Sequence, residues 1–141
     1  MTADMTDDDI RRILTGVRTI AVVGWSPKPE RASHGVAAFL KRKGYRVIPV
    51  NPGQAGQEAL GEVVRASLAE IGGGVDMVDI FRRSEEAGAV VDEALAVLPG
   101  LKALWMQLGV VDAAAAARAR ARGVEVVMDR CPAIEMPRLG M

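Results

Sequence analysis

Short apolar runs alternate along the chain with segments of helical period. In TDDDIRRILTGV, Ile10, Ile13, Leu14 and Val17 fall on one helix face. Thr6 stands where an N-cap belongs, and Asp7, Asp8 and Asp9 occupy the first turn, where the helix dipole favours carboxylates. TIAVVG (19–24) is a β-branched apolar run closed by glycine, the pattern of a strand buried on both faces. SHGVAAFLKRKG (33–44) predicts a helix capped by Ser33 and ended by Gly44, and YRVIPVNP (45–52) a strand stopped at Asn51-Pro52. The stretch 53–74 is less regular. It reads as a loop, a very short strand near Glu62–Val64, a short helix around Ser67–Ile71 and a turn at Gly72-Gly73-Gly74. VDMVDIF (75–81) is the third clear strand, and SEEAGAVVDEALAVLPG (84–100) a helix with Ser84 as its cap. ALWMQLG (103–109), DAAAAARARARG (112–123) and VEVVMD (124–129) continue as strand, helix and strand, and the tail RCPAIEMPRLGM has no clear periodicity.

Strands alternating with helices of about 10–15 residues, over short connections, imply βαβ crossovers and a parallel sheet. The predicted fold is α/β: a doubly wound, Rossmann-like three-layer α/β/α domain with a mostly parallel sheet. At 141 residues the chain reads as a single domain, 1–141, without a repeat or a linker that would split it. Its 50% hydrophobic content suits a sizeable core.

Charge narrows the functional classes. Eighteen basic residues balance eighteen acidic ones, so no global field favours nucleic acid or an anionic membrane, and any anion site must be local. One cysteine, Cys131, excludes an intramolecular disulfide and gives no cluster for zinc. The acidic start MTADMTDDDIRR lacks the apolar core of a signal peptide, and no apolar stretch approaches the ~18 residues that span a bilayer. A soluble, cytoplasmic protein is expected.

In an open parallel sheet the ligand crevice lies beyond the carboxyl ends of the strands, where strand order reverses. The informative segments are therefore those that follow strands. After the first, Gly24 allows close backbone approach, Ser26 offers a hydroxyl, Lys28 and Arg31 bring positive charge, and Pro27 and Pro29 stiffen the loop. That set suits a phosphate or pyrophosphate, or else it is a solvated strand-to-helix loop. The GxGxxG dinucleotide fingerprint is absent, since the glycine after Gly24 is Gly35. The second strand ends in Asn51-Pro52, where an NAD site would place a carboxylate for the ribose hydroxyls. NAD is disfavoured, while NADP or another phosphorylated nucleotide stays open.

Arg82 and Arg83 end the third strand before a helix start, as a second anion site or as partners of Glu85 and Glu86. Gln107 and Gly109 border a pocket or form a turn. Catalytic candidates are thin. His34 reads as a solvated or capping residue, Cys131 as a buried and inert thiol or else a thiolate activated by Arg130, and Asp76 and Asp79 lack an acid–base partner. One His and one Cys far apart give no metal site. Trp25 and Trp105 read as packing residues, with Trp25 also able to cover a ligand. The arginines of RARAR (118–122) read as a solvated helix face or an interface.

GWSPKPERASHGVAAFLKRKGYRVIPVNP, VDIFRRSEE, LWMQLGV and VVMDRCPAIE, in this order, resemble the small stand-alone CoA-binding proteins, whose domain is similar to the N-terminal CoA-binding domain of the succinyl-CoA synthetase α subunit. The resemblance runs from about Ile10 to Glu135. It implies a Rossmann-like domain that binds coenzyme A or an acyl-CoA. The family pattern G-x-S-x-K/N-P falls on Gly24, Ser26, Lys28 and Pro29, expected near the CoA phosphates; Trp25 and Pro27 belong to the same loop. V-N-P falls on Val50, Asn51 and Pro52, expected near the adenosine 3′-phosphate. F-R-R-S falls on Phe81, Arg82, Arg83 and Ser84, and Q-L-G on Gln107, Leu108 and Gly109. The α subunit carries its phosphorylated histidine in a second domain, to which His34 does not correspond, so binding carries over and the ligase reaction does not. The expected partner is thus a small CoA ligand, without nucleic acid, membrane or metal and without evident catalytic machinery. Two alternatives remain: an NADP-dependent oxidoreductase or redox-sensing domain, and a regulatory subunit of a partner enzyme.

Overall fold

The apolar runs become strands of one parallel sheet, and the periodic segments become helices on its two faces. The computed structural model describes residues 5–141; residues 1–4 of the acidic leading segment lie outside it. In chain order the elements are α1 (Asp7–Gly16), β1 (Thr19–Val23), α2 (Ala32–Arg42), β2 (Arg46–Val50), β3 (Glu58–Ala59), β4 (Glu62–Val63), β5 (Met77–Ile80), α3 (Ser84–Val97), β6 (Ala103–Met106), α4 (Ala113–Ala121), β7 (Glu125–Val127) and α5 (Pro132–Arg138). Short 3-10 turns occupy Pro52–Gln54 and Leu68–Glu70.

The main sheet runs β2-β1-β5-β6-β7, every pair parallel. The chain leaves β1 toward β2 and returns on β1's other side as β5, so strand order reverses between β1 and β5. β3 and β4 form a small antiparallel hairpin apart from it. The predicted α/β fold is present, with β3 as an added strand.

Each face of the sheet has its own core. On one side Ala87, Val91 and Ala94 of α3 and Ala115, Ala116 and Ala119 of α4 pack on Ala21, Ile48, Val78 and Leu104. Small residues on both helices let them lie close together and on the sheet. Arg118 pairs with Asp92, while Arg120 and Arg122 donate to the carbonyls of Val126 and Leu95. The RARAR arginines therefore staple α4 to its neighbours. On the opposite side Ile10 and Leu14 of α1, Leu40 of α2 and Met136 of α5 cover Ile20, Val22, Met77 and Trp105. Each fully buried Ile or Leu there contributes ~1.5–3 kcal/mol relative to exposure.

Helix ends follow the sequence in part. Thr6 caps α1, and its hydroxyl and the Asp9 carboxylate form a reciprocal capping box. Asp112 caps α4 by accepting from the Ala115 N–H. Ser33 and Ser84 do not cap: each lies inside its helix, and Arg31 and Arg83 hold the N-cap positions without a side-chain hydrogen bond. The tail, without periodicity in the sequence, forms α5. Its start is the Cys131-Pro132 step, proline being suited to a first helical position whose N–H needs no partner.

Candidate functional site

The site is built outward from the reversal between β1 and β5. At the end of β1 the backbone is held on both sides. Phe81 N donates to Val23 O at 2.9 Å, and the N–H groups of Gly24 and Trp25 donate to Val50 O at 3.0 and 3.3 Å. Gly24 sits at φ +87°, and a Cβ there would lie 2.2 Å from the Phe81 carbonyl oxygen. The strand ends approach so closely that only glycine fits. Its first cause is the sheet itself, rather than the approach of a ligand.

The loop that follows is organised by side chains. Asn51 donates from Nδ2 to Trp25 O at 2.7 Å and accepts at Oδ1 from Gly53 N at 2.9 Å. An amide can do both; a carboxylate could not donate to Trp25. Ser26 Oγ accepts from Lys28 N at 3.2 Å, while its carbonyl accepts from His34 Nδ1 at 3.0 Å. The His34 ring stacks on Trp25, with 6.0 Å between ring centres. Trp25 is buried beneath the loop and does not line the cleft above it. His34 is engaged in holding that loop.

Above the strand ends lies a cleft of about 660 Å³. The loop after β1 and the start of α2 line it through Gly24, Ser26, Pro27, Lys28, Arg31, Ala32 and Ser33. Asn51 and Gln54 enter from beyond β2, Phe81, Arg82 and Arg83 from β5, and Gln107 to Val110 from β6. Among the residues expected at a site, Trp25 and Val50 are buried below the cleft, and Pro29, Ser84 and Pro52, the last exposed at the head of its 3-10 turn, are outside the lining. Gln54 and Val110 carry no sequence signal of their own; the turn after Asn51 and the bend after Gln107 bring them in.

The electrostatics of this cleft are one-sided. Lys28, Arg31, Arg82 and Arg83 line it, and no Asp or Glu does. Arg83 is engaged with Glu86 at 2.9 Å and Glu85 at 3.5 Å. Lys28, Arg31 and Arg82 make no ion pair among the described residues. In the first turn of α2 the backbone bonds begin at His34 N and Gly35 N, both to Arg31 O, leaving the N–H groups of Ala32 and Ser33 without a backbone partner. A helix start of this kind, with three unpaired cations around it, is chemically an anion site.

Below the β6 side the floor is different. Asp79, in the middle of β5, is fully buried between Val22 and Trp105. Its Oδ1 accepts from Gln107 Nε2 at 2.9 Å and its Oδ2 has no partner. Burial pushes the carboxyl up to about 7, against the smaller opposing effect of the Gln107 hydrogen bond. Cys131 is buried beside the same amide, and burial pushes its thiol up as well. Arg130 does not activate it, being paired with Glu135 at 3.0 Å. Asp76, just before β5, accepts from the N–H groups of Arg18 and Thr19 and so fixes the start of β1. Among the described residues no group of three His, Cys, Asp or Glu side chains could hold a metal ion, and no helix is long and apolar enough to cross a membrane.

Comparison with known proteins gives this geometry a family. Residues 18–137 match the model of the CoA binding domain. Uncharacterized protein YneT of Bacillus subtilis is 41% identical over 123 residues, spanning 87% of this chain and 88% of YneT. The solved structure of a Thermus thermophilus protein, cell-free ID.343, superposes with a TM-score of 0.88 at 36% identity, over 96% of this chain and 99% of that one. A dinucleotide-forming acetyl-coenzyme A synthetase 1 of Ca. Korarchaeum cryptofilum shares the fold alone, with a TM-score of 0.68 at 22% identity, over 85% of this chain and 27% of the synthetase. The chain belongs to the CoA-binding domain family.

Proposed function

We propose that the cleft binds coenzyme A or an acyl-CoA, and that binding rather than covalent chemistry is its task. One observation carries the reading: a chain of zero formal net charge concentrates four cations, and no carboxylate, around a helix start at the point where strand order reverses. Membership of the CoA-binding domain family supports coenzyme A as that polyanion. The acetyl-coenzyme A synthetase that shares the fold supports the same choice of ligand at the level of architecture. The pyrophosphate then lies against the N–H groups of Ala32 and Ser33 and the side chains of Lys28, Arg31 and Arg82. The adenosine end lies on the β2 side near Asn51 and Gln54, and pantetheine runs along Gln107 to Val110. The reading of binding without covalent chemistry is supported by His34, which is tied into its loop, by Cys131, which is buried with a raised thiol pKa, and by Asp79, which is fully buried and outside the cleft lining.

Calorimetric titration with CoA, dephospho-CoA and NADPH tests the reading. CoA binding more tightly than dephospho-CoA, with NADPH weak or silent, is the expected result. Absence of CoA binding below millimolar concentration would sink it. NADPH binding without CoA binding would turn the cleft over to a nicotinamide ligand.

A further inference from the structure

The loop 107–111 is held rigidly, yet it keeps large apolar side chains in solvent. Ser84 Oγ donates to Gly109 O at 3.1 Å and accepts from Val111 N at 3.0 Å. From the other side Asp129 Oδ1 accepts from Gly109 N at 2.7 Å, with Asp129 itself at the uncommon φ of 58°. Val110 N closes the turn onto Gln107 O at 2.9 Å. On this pinned loop Leu108 is 58% exposed and Val111 49%. The chain after β7 runs alongside it, with Arg130 N donating to Met106 O, and leads to Ile134, 52% exposed in the first turn of α5. These are three of the four large apolar side chains exposed among the described residues; the fourth, Val63, belongs to the β3–β4 hairpin.

A solvated turn normally carries Gly, Pro, Asn, Asp or Ser. Apolar side chains fixed in the open by several hydrogen bonds have the character of a binding surface. Leu108 and Val110 also line the cleft, so the surface continues it. It does so on the β6 and β7 side, whereas Lys28 and Arg31 follow β1 and Arg82 follows β5. The cleft is thus basic over the middle of the sheet and apolar toward one edge.

We propose that loop 107–111 with Ile134 is a shelf for the acyl chain of a bound acyl-CoA, so that the cleft prefers an aliphatic acyl thioester to free CoA. The proposal rests on the CoA reading above. Its occupant is chosen by continuity with the cleft and by matching polarity: the ligand carries its phosphates at one end and its acyl group at the other.

The test is a titration of the full chain with CoA and with acetyl-, butyryl- and hexanoyl-CoA. Full burial of a methylene strengthens binding by about fourfold, and an open shelf gives about half of that free energy, or roughly twofold per methylene. Affinity should therefore rise about fifteenfold over the four methylenes from acetyl- to hexanoyl-CoA. The double substitution Val111→Ser/Ile134→Ser, outside the cleft lining, should flatten that gradient while leaving the affinity for CoA within about twofold. Leu108→Ser should flatten it further. CoA binding with no dependence on acyl length, or weaker binding of longer acyl groups, would overturn the shelf and leave the CoA site standing. Failure of every CoA species to bind would overturn both. A dimer in sedimentation that the double substitution dissociates, without any acyl gradient, would overturn the shelf in favour of a second copy of the chain.

Discussion

The loops after β1 and β6 share a sequence signature and differ in what enforces it. Both follow a buried strand, both line the cleft, and both contain a glycine in the left-handed region, Gly24 at φ +87° and Gly109 at φ +79°. A Cβ on Gly24 would collide with the Phe81 carbonyl, whereas a Cβ on Gly109 would meet nothing within 4 Å. The first loop is shaped by the sheet beneath it. The second is shaped from outside, by Ser84 and Asp129. The first presents charge and the second apolar surface, so the two ends of one cleft have separate structural origins.

Substitution separates them. Gly24→Val has the largest expected effect: both the backbone angle and the contact with Phe81 forbid the side chain, so stability should fall by about 3 kcal/mol or more in urea unfolding. A Gly24→Val protein that unfolds like the parent would show that the strand ends can part without cost, and the contrast between the loops would vanish.

Asp79→Asn comes next, and its effect depends on pH. The Asp79 carboxyl rises from an ordinary value of 3.8 to about 7 in the folded protein. Between those pH values the folded state keeps a proton that the unfolded state has released, so stability is fully present below about pH 4 and is lost as pH rises through about 7. Asn cannot ionise and can still accept from Gln107. The substitution should remove this slope and stabilise the protein by a few kcal/mol at pH 8, with little change at pH 4, in denaturation curves at the two pH values. An unchanged slope would mean that Asp79 ionises freely in the fold.

Arg82 and Arg83 sharpen the picture within one strand end. Arg82→Ala should weaken CoA binding by ~1–3 kcal/mol, the value of a charge-assisted phosphate contact, with stability unaltered. Arg83 is exposed and already engaged with two glutamates, so Arg83→Ala should change affinity by less than about threefold. Equal losses in calorimetry would show that Arg83 leaves its glutamates for the ligand. The smallest effect is expected from Gly109→Ala, which adds a Cβ in open space but in a left-handed conformation, for about 1 kcal/mol of stability. A loss as large as that at Gly24 would erase the distinction between them.

The sequence carried the fold and much of the candidate cleft's location because both rest on local signals. Apolar runs, helical spacing and Thr6 with its three aspartates mark elements directly, and strand-end segments identify the crevice once the sheet is parallel. What escaped it depends on tertiary partners. Ser33 and Ser84 have the residue type of a cap, but the chain begins each helix earlier, and Ser84 instead ties a loop lying 25 to 27 residues onward. Trp25 belongs to the loop in sequence and to the core in space. Helix α5 is seven residues long with prolines at both ends of its span, too short for periodicity to register. Asn51, whose lack of charge disfavours NAD, is also demanded by a carbonyl that needs a donor.

The one-sided charge of the cleft, in a chain that is neutral as a whole, also governs how a polyanionic ligand would arrive. At physiological ionic strength fields fade over ~8 Å, so a molecule diffusing at greater distance is not steered toward the protein. Within that distance a cleft lined by one sign of charge focuses its field and raises the rate of capture, an effect that added salt weakens. Added salt should therefore slow capture of the ligand as well as shorten its residence.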